Sequence, residues 1–259
     1  MAINLKLTIM ERKEFLRGLG FVGLGALTIP AIKACSKDND SVTSTATDNT
    51  QATNTGGSTS TGCSVTSSET AGPFPTKTPS SLVTANIVGD RTGIGFSINI
   101  TIKNTNASCT VLAGAIVDIW HCDKDGYYSE YGGTNMQMAD FTSYHFLRGR
   151  QTTNASGKVG FTSIFPGWYS GRATHIHVHI YNAAGTSLLV TQIAFPEGTG
   201  SAVALANAST ANGYTKGMTG YTYNASDNVF SDSVANEMST VTGSVAAGFV
   251  LEHTINVAG

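Results

Sequence analysis

Apolar and polar positions alternate at Phe96, Ile98, Ile100 and Ile102, the period of a half-buried β-strand. Leu112 to Trp120 is a denser apolar run and reads as a more deeply buried strand. Lys158 to Ile164 follows the turn Asn154-Ala155-Ser156-Gly157 as another. Thr174 to Tyr181 and Leu188 to Phe195 flank the turn Asn182-Ala183-Ala184-Gly185, and Val245 to Val257 closes the chain. No stretch beyond residue 34 has helical periodicity. Short strands at this spacing predict one all-β domain over residues 63–259, a sandwich or a barrel. Residues 123–157 and 196–243 lack a strand pattern and predict long loops, where sites are usually built on a rigid sheet scaffold.

The first 62 residues follow a different logic. Residues 1–34 carry five of the fifteen Lys and Arg but two of the seventeen Asp and Glu. Charged residues from Glu11 to Arg17 precede an apolar, Gly-rich run from Gly18 to Ile32. That run is shorter than the roughly 20 residues a transmembrane helix needs. The layout predicts an export signal peptide over residues 1–34. Arg12-Lys13-x-Phe15-Leu16 resembles a weakened twin-arginine signal, with Lys in place of the second Arg. Ala34-Cys35 resembles the processing point of bacterial lipoproteins, so Cys35 is expected to carry a lipid anchor. The plainer alternative is an ordinary signal cut nearby, with Cys35 incidental. Residues 36–62 hold 13 Ser and Thr among 27 and one large apolar residue, Val42. Nothing there offsets the entropy of ordering, so residues 35–62 are expected to form a flexible tether. The expected location is the cell envelope or surface of a bacterium.

Composition narrows the function. Charged residues make up 12% of the chain and the formal net charge is −2. No basic field draws phosphate backbones, so nucleic acid is not an expected partner. Cys63, Cys109 and Cys122 are an odd set, which permits at most one intrachain disulfide and leaves the pairing open.

The chemistry concentrates in Thr174-His175-Ile176-His177-Val178-His179-Ile180. At strand period two, His175, His177 and His179 share one face while Ile176, Val178 and Ile180 face the core. Imidazoles at i and i+2 can converge on one metal ion, and imidazole suits iron, zinc and copper. Tyr128, ending Gly126-Tyr127-Tyr128, and Tyr169, ending Pro166-Gly167-Trp168-Tyr169, add phenols beside this strand. Phenolate is a hard anionic donor that matches ferric iron.

The segments Thr70-Ala71-Gly72-Pro73-Phe74, Val117 to Asp123, Asp125 to Ser129, Phe146-Leu147-Arg148-Gly149 and Thr162 to His177 occur together in this order. Over residues 64–257 the chain resembles the intradiol ring-cleavage dioxygenases of the protocatechuate and catechol type, most of all their small secreted branch. The resemblance implies a β-sandwich with long site-forming loops, holding one non-haem Fe(III) through Tyr128, Tyr169, His175 and His177. It places the family's Arg at Arg172 and its Gln at Gln192, and makes Tyr169 the ligand that leaves when substrate chelates the iron. The implied reaction uses O2 to open a small aromatic diol between its hydroxylated carbons, giving a muconate-type diacid. Tyr127 falls one residue off the motif and His179 outside it; both read as packing or structural. His121 and Asp118 read as structural, Trp120 and Trp168 as core, and His145 as a weak candidate for the pocket lining. The first motif departs from the family in having Ala71 where an acidic residue is usual.

Two alternatives stand beside this reading. One is a zinc or copper protein using His175, His177 and His179 together. The other is a cell-surface β-sandwich binding module without catalysis. Lys77 and Arg91 are the candidate charge partners for a carboxylated substrate, and oligomeric state is not legible.

Overall fold

The computed structural model of the chain describes residues 63–259; the expected signal, Cys35 and the tether lie outside the described residues. β1 (Gly95–Asn104) is the spine of a five-stranded sheet. It pairs antiparallel with β2 (Thr110–Val111) and β5 (Lys158–Ile164), and parallel with β9 (Gly248–Val257). β8 (Thr240–Ser244) closes that sheet against β9. The second sheet runs β4 (Arg148–Thr152), β3 (Ile116–Trp120), β6 (His175–Tyr181), β7 (Ser187–Ala194), all antiparallel. Their inner faces meet in one core. Phe96, Ile98, Ile100, Leu251 and Ile255 come from the first sheet, and Val117, Ile119, Ile176, Val178 and Ile180 from the second. This is a β-sandwich, the alternation along β1 and β6 supplying both inner faces.

Three departures from the sequence pattern have local causes. The run from Leu112 is interrupted at Gly114, whose φ of +77° turns the chain, so β3 starts at Ile116. β4 and β8 lie in stretches whose pattern predicts loops. β4 is polar because its outward side carries Arg148 and Arg150, both bonded to other groups; β8 is an exposed edge strand and needs no apolar face. The stretch 196–243 also holds a short helix, α1 (Ala202–Asn207), whose first turn Ser201 caps by accepting from Ala204 N–H. Six residues are too few to show helical periodicity.

Cys63 and Cys109 form the disulfide, tying the start of the described chain to the turn between β1 and β2; Cys122 is the thiol left over and is buried. The bridge spans 46 residues. Replacing both cysteines by Ser is expected to lower stability by about 2–4 kcal/mol, read as a shifted urea midpoint.

Glu237 supplies a second test. The segment around it clamps the end of β7: Ala194 N–H donates to the Glu237 carbonyl and Ser239 N–H to the Ala194 carbonyl. The Glu237 side chain is fully buried, and burial, then Glu69 and Asp232, push its carboxyl up to about 8. The folded value exceeds the unfolded one, roughly 4.3. The folded chain therefore keeps a proton that the unfolded chain releases, and this stabilisation is complete below pH ~4.3. It is lost as pH rises through about 8. Glu237→Gln is expected to flatten this decline in the thermal midpoint; an unchanged slope would contradict the assignment.

Candidate metal centre

Register across the second sheet builds the floor of the site. Trp120 on β3 stands opposite Arg148 on β4 and His177 on β6, and His177 stands opposite Gln192 on β7. Arg148, Trp120, His177 and Gln192 therefore form one row on the face turned away from the sandwich core. Trp120 lies flat on the His177 imidazole, with ring centroids 4.9 Å apart and planes 5° apart. An outward sheet face would normally be wet. Here His175 and His177 are buried, because Phe74 and Tyr128, with Tyr169 and Tyr131 packed on them, roof the face, while Trp120 and Cys122 pack against that roof from β3 and just beyond it.

Loops deliver the phenols. The turn before Tyr128 is built by Asp123, whose Oδ1 accepts from the N–H groups of Asp125 and Tyr127. Gly126 sits at φ +90°, where a Cβ would overlap the Trp168 carbonyl. Gln137 then grips Tyr128 on both sides, accepting from its N–H at 2.7 Å and donating to its carbonyl at 2.8 Å. An isolated Gln in a loop carries no sequence signal for this role. The Phe74 ring stacks on Tyr128 at 4.8 Å. Tyr169 enters from the other side, its ring edge-on to Tyr128 at 5.8 Å and to His175 at 5.7 Å.

Four donor atoms converge. His175 Nδ1 lies 2.7 Å from the Ala173 carbonyl, which can only accept, so Nδ1 carries the proton and Nε2 presents a lone pair. That Nε2 is 3.1 Å from His177 Nε2 and 3.2 Å from Tyr128 Oη. Tyr169 Oη is buried beside Tyr128 and Arg172 without a hydrogen-bond partner, and His177 Nδ1, the other ring nitrogen, is also buried without one. Burial, then the cation of Arg172, holds His175 near 3; burial and then His175 hold His177 well below the usual imidazole range. Burial likewise pushes both phenols up, Tyr128 far above 10. The pocket thus gathers neutral imidazoles and phenols at one point and leaves Tyr169 Oη there without a partner. Two phenolates and two imidazoles are a hard, dianionic donor set, and they fit ferric iron.

Arg172 and Gln192 belong to the same wall. Arg172 Nη2 donates to Gln192 Oε1 at 2.5 Å, and Gln192 Nε2 donates to the Thr70 carbonyl at 2.9 Å. The other face of Arg172 bonds to Asp227, a residue with no motif around it to mark it. Thr174 N–H donates to Tyr221 Oη, which donates to Glu197, so the segment leading into His175 is braced from the long 196–243 stretch.

Other sequence candidates lie elsewhere. The three-imidazole alternative fails because the His179 ring bonds to Ser187 and Tyr181, away from the His175–His177 pair. Among the described residues no three of His, Cys, Asp and Glu group as a metal site. His121 is buried between the Cys122 carbonyl and Ser163, Asp118 is paired with Arg150, and Tyr127 is exposed against Phe141. His145 bonds to the buried Glu130. Arg91 is paired with Asp90 and Asp123, and Lys77 sits over the Tyr131 ring, so Arg91 is not available as a partner for a substrate carboxylate.

The comparisons agree with this geometry. The dioxygenase family model matches residues 72–229. The chain is 30% identical over 143 residues to chlorocatechol 1,2-dioxygenase of Rhodococcus opacus, a match covering 48% of this chain and 51% of that protein. It thus spans about half the length of that relative. An intradiol ring-cleavage dioxygenase from Tetranychus urticae superposes with a TM-score of 0.64 at 27% identity, over 75% of this chain and 95% of that one. The dioxygenase domain of a carbohydrate-binding fusion protein from Streptomyces sp. SirexAA-E shares the fold, with a TM-score of 0.52 at 22% identity over 74% and 97%. A β-sandwich carrying paired phenols and imidazoles on its outer sheet face defines a class, and the chain belongs to the intradiol ring-cleavage dioxygenase family.

Gly72 tests the packing of the roof. It holds φ +69°, and a Cβ there would meet His177 Cε1 at 2.8 Å. Gly72→Ala is expected to cost about 1–3 kcal/mol through overpacking and backbone strain, measured by urea unfolding. Gly171, at φ +87° with open space around it, isolates the backbone part. Gly171→Ala should cost less; equal losses would show that contact with His177 is not the cause.

Proposed function

We propose that the chain is an exported, iron-dependent dioxygenase that uses O2 to open a catechol-type ring between its two hydroxylated carbons, giving a muconate-type diacid. The convergence of two buried phenols and two buried imidazoles carries this reading. Tyr128 and Tyr169 as phenolates, and His175 and His177 through Nε2, would hold one Fe(III) per chain. Bound there, ferric iron supplies Lewis acidity toward both catechol oxygens and makes the ring reactive toward O2.

The chain's own residues do the remaining work. Tyr128 is fully enclosed under Phe74 and is suited to stay in place. Tyr169 is less enclosed and lies beside Arg172, so its phenolate is the one placed to leave and take a substrate proton at Oη. Arg172 brings a fixed cation to the wall, where negative charge developing on the substrate is stabilised, and Gln192 holds its Nη2 edge. Phe74, Trp120 and Cys122 keep water from the donors. The Ala173 carbonyl holds the proton on His175 Nδ1 and so keeps Nε2 available.

Export and a lipid anchor at Cys35 rest on the residues before position 36, and the Cys63–Cys109 disulfide supports an oxidising compartment. The names of the relatives, chlorocatechol and catechol 1,2-dioxygenase, make an uncharged catechol the first substrate to try.

The full chain, loaded aerobically with iron, is expected to bind about one iron and show a red-brown tyrosinate-to-iron band that shifts when catechol is added. Tyr128→Phe and Tyr169→Phe should weaken or remove the band. Turnover in Tyr169→Phe should fall by about 10²-fold or more. A chain that stays colourless and iron-free after ferric loading would overturn this reading and favour the non-catalytic surface module.

A further inference from the structure

Residues 196–243, a loop by sequence pattern, deliver a buried carboxylate to the back of Arg172. Asp227 has no exposed surface. Its two oxygens accept from Arg172 Nε at 3.1 and 2.9 Å, from Ala173 N–H at 2.6 Å and from Val229 N–H at 2.8 Å. Two of its donors are main chain, so the carboxylate is fixed before the arginine is considered. Arg172 is itself buried, with Phe230 over one face of its guanidinium at 5.7 Å. Its second side-chain partner, Gln192, is neutral. A guanidinium out of water with only a neutral partner is strongly disfavoured, and its plane is fixed here by two contacts on different nitrogens, Nε shared by both Asp227 oxygens and Nη2 on Gln192.

We propose that Asp227 is a positioning residue for ring cleavage: anchored by Ala173 and Val229, its carboxylate holds the Arg172 guanidinium in the one plane that serves the reacting ring. The inference rests on the ring-cleavage reading. It predicts that Asp227 acts through Arg172 and not through the metal donors. It also assigns a function to the 196–243 stretch beyond walling the pocket, since Asp227 reaches Arg172 from 55 residues away in sequence.

Asp227→Asn keeps an acceptor for one of the two main-chain N–H groups, sets its NH2 against the other, and removes the negative charge facing Arg172 Nε. In the iron-loaded full chain, Asp227→Asn is expected to lower kcat by about 10- to 100-fold, the scale of a misplaced catalytic group. Iron content and the visible band should stay as in wild type. In an Arg172→Gln background the same change should lower kcat by less than about twofold, because the group it positions is gone. The thermal midpoint of the metal-free chain is the second readout. Arg172→Gln strands a buried carboxylate and should lower it, and adding Asp227→Asn should recover part of the loss.

An Asp227→Asn chain with wild-type kcat would overturn the inference, as would equal losses of kcat in both backgrounds. Loss of iron with unchanged kcat per iron would also overturn it, by locating the effect at His175. If Asp227→Asn does not accumulate folded, the midpoints of Arg172→Gln and the double variant decide: no recovery overturns the pairing. Wild type run alongside separates the two claims, since an inactive, colourless wild type defeats the ring-cleavage reading itself.

Discussion

Insertion of Ile176, Val178 and Ile180 into the sandwich core is the constraint on which the site depends. Strand geometry sends alternate side chains to opposite faces, so anchoring these three points His175 and His177 outward together. A one-residue slip of β6 would put the imidazoles into the apolar core and the isoleucines under the roof. The cost of burying several apolar side chains in the wrong place makes the register, and therefore the spacing of the two Nε2 atoms, a property of the whole sandwich. The neighbouring strands repeat the rule, lining up Arg148, Trp120 and Gln192 with His177 in one row.

The outer face of a sheet is an unusual place for buried lone pairs, and the loops resolve the conflict. Phe74 and the two tyrosines cover it, and each covering segment is held by polar contacts rather than by regular structure. Gln137 grips Tyr128, while Arg148 donates to the carbonyls of Phe74 and Ser129 at 2.9 and 2.6 Å. Burial draws the Arg148 guanidinium down to about 10, yet the Glu130 carboxylate beside it offsets part of that effect. The multiple hydrogen bonds of Gln137 and Arg148 hold the covering segments in one conformation. Tyr169 Oη, His177 Nδ1 and Trp120 Nε1 are buried here without partners. At the centre itself two imidazole nitrogens and two phenol oxygens face one another out of water, a donor set that fits a cation.

Much of this was open to sequence reasoning. Period-two alternation located β1, β5, β6 and β7 to within a residue or two, because each buries one face and leaves the other polar. It missed β4 and β8 for the opposite physical reason: β4 exchanges apolar residues for arginines with buried partners, and β8 is an edge with little to bury. Tyr128, Tyr169, His175, His177, Arg172 and Gln192 were legible through family motifs, and the structure brings all six to one wall. Periodicity alone would have kept His179 with the other two histidines, since all three share a face; only the contacts of its ring with Ser187 and Tyr181 separate it.

The sequence by itself determined the strand faces and the chemical types of the donors, because side-chain period and donor chemistry are local properties of the chain. Tertiary structure alone decided that Cys63 pairs with Cys109 and leaves Cys122 buried, since an odd set of cysteines has no preferred pairing until the turn between β1 and β2 meets the chain's described start. It alone placed Gln137 on Tyr128 and brought Asp227 to Arg172 and Glu197 to Tyr221. These contacts join residues with no shared period and no motif. What recruits them is the cost of enclosing a polar group without a partner, and that cost arises only once the chain has folded.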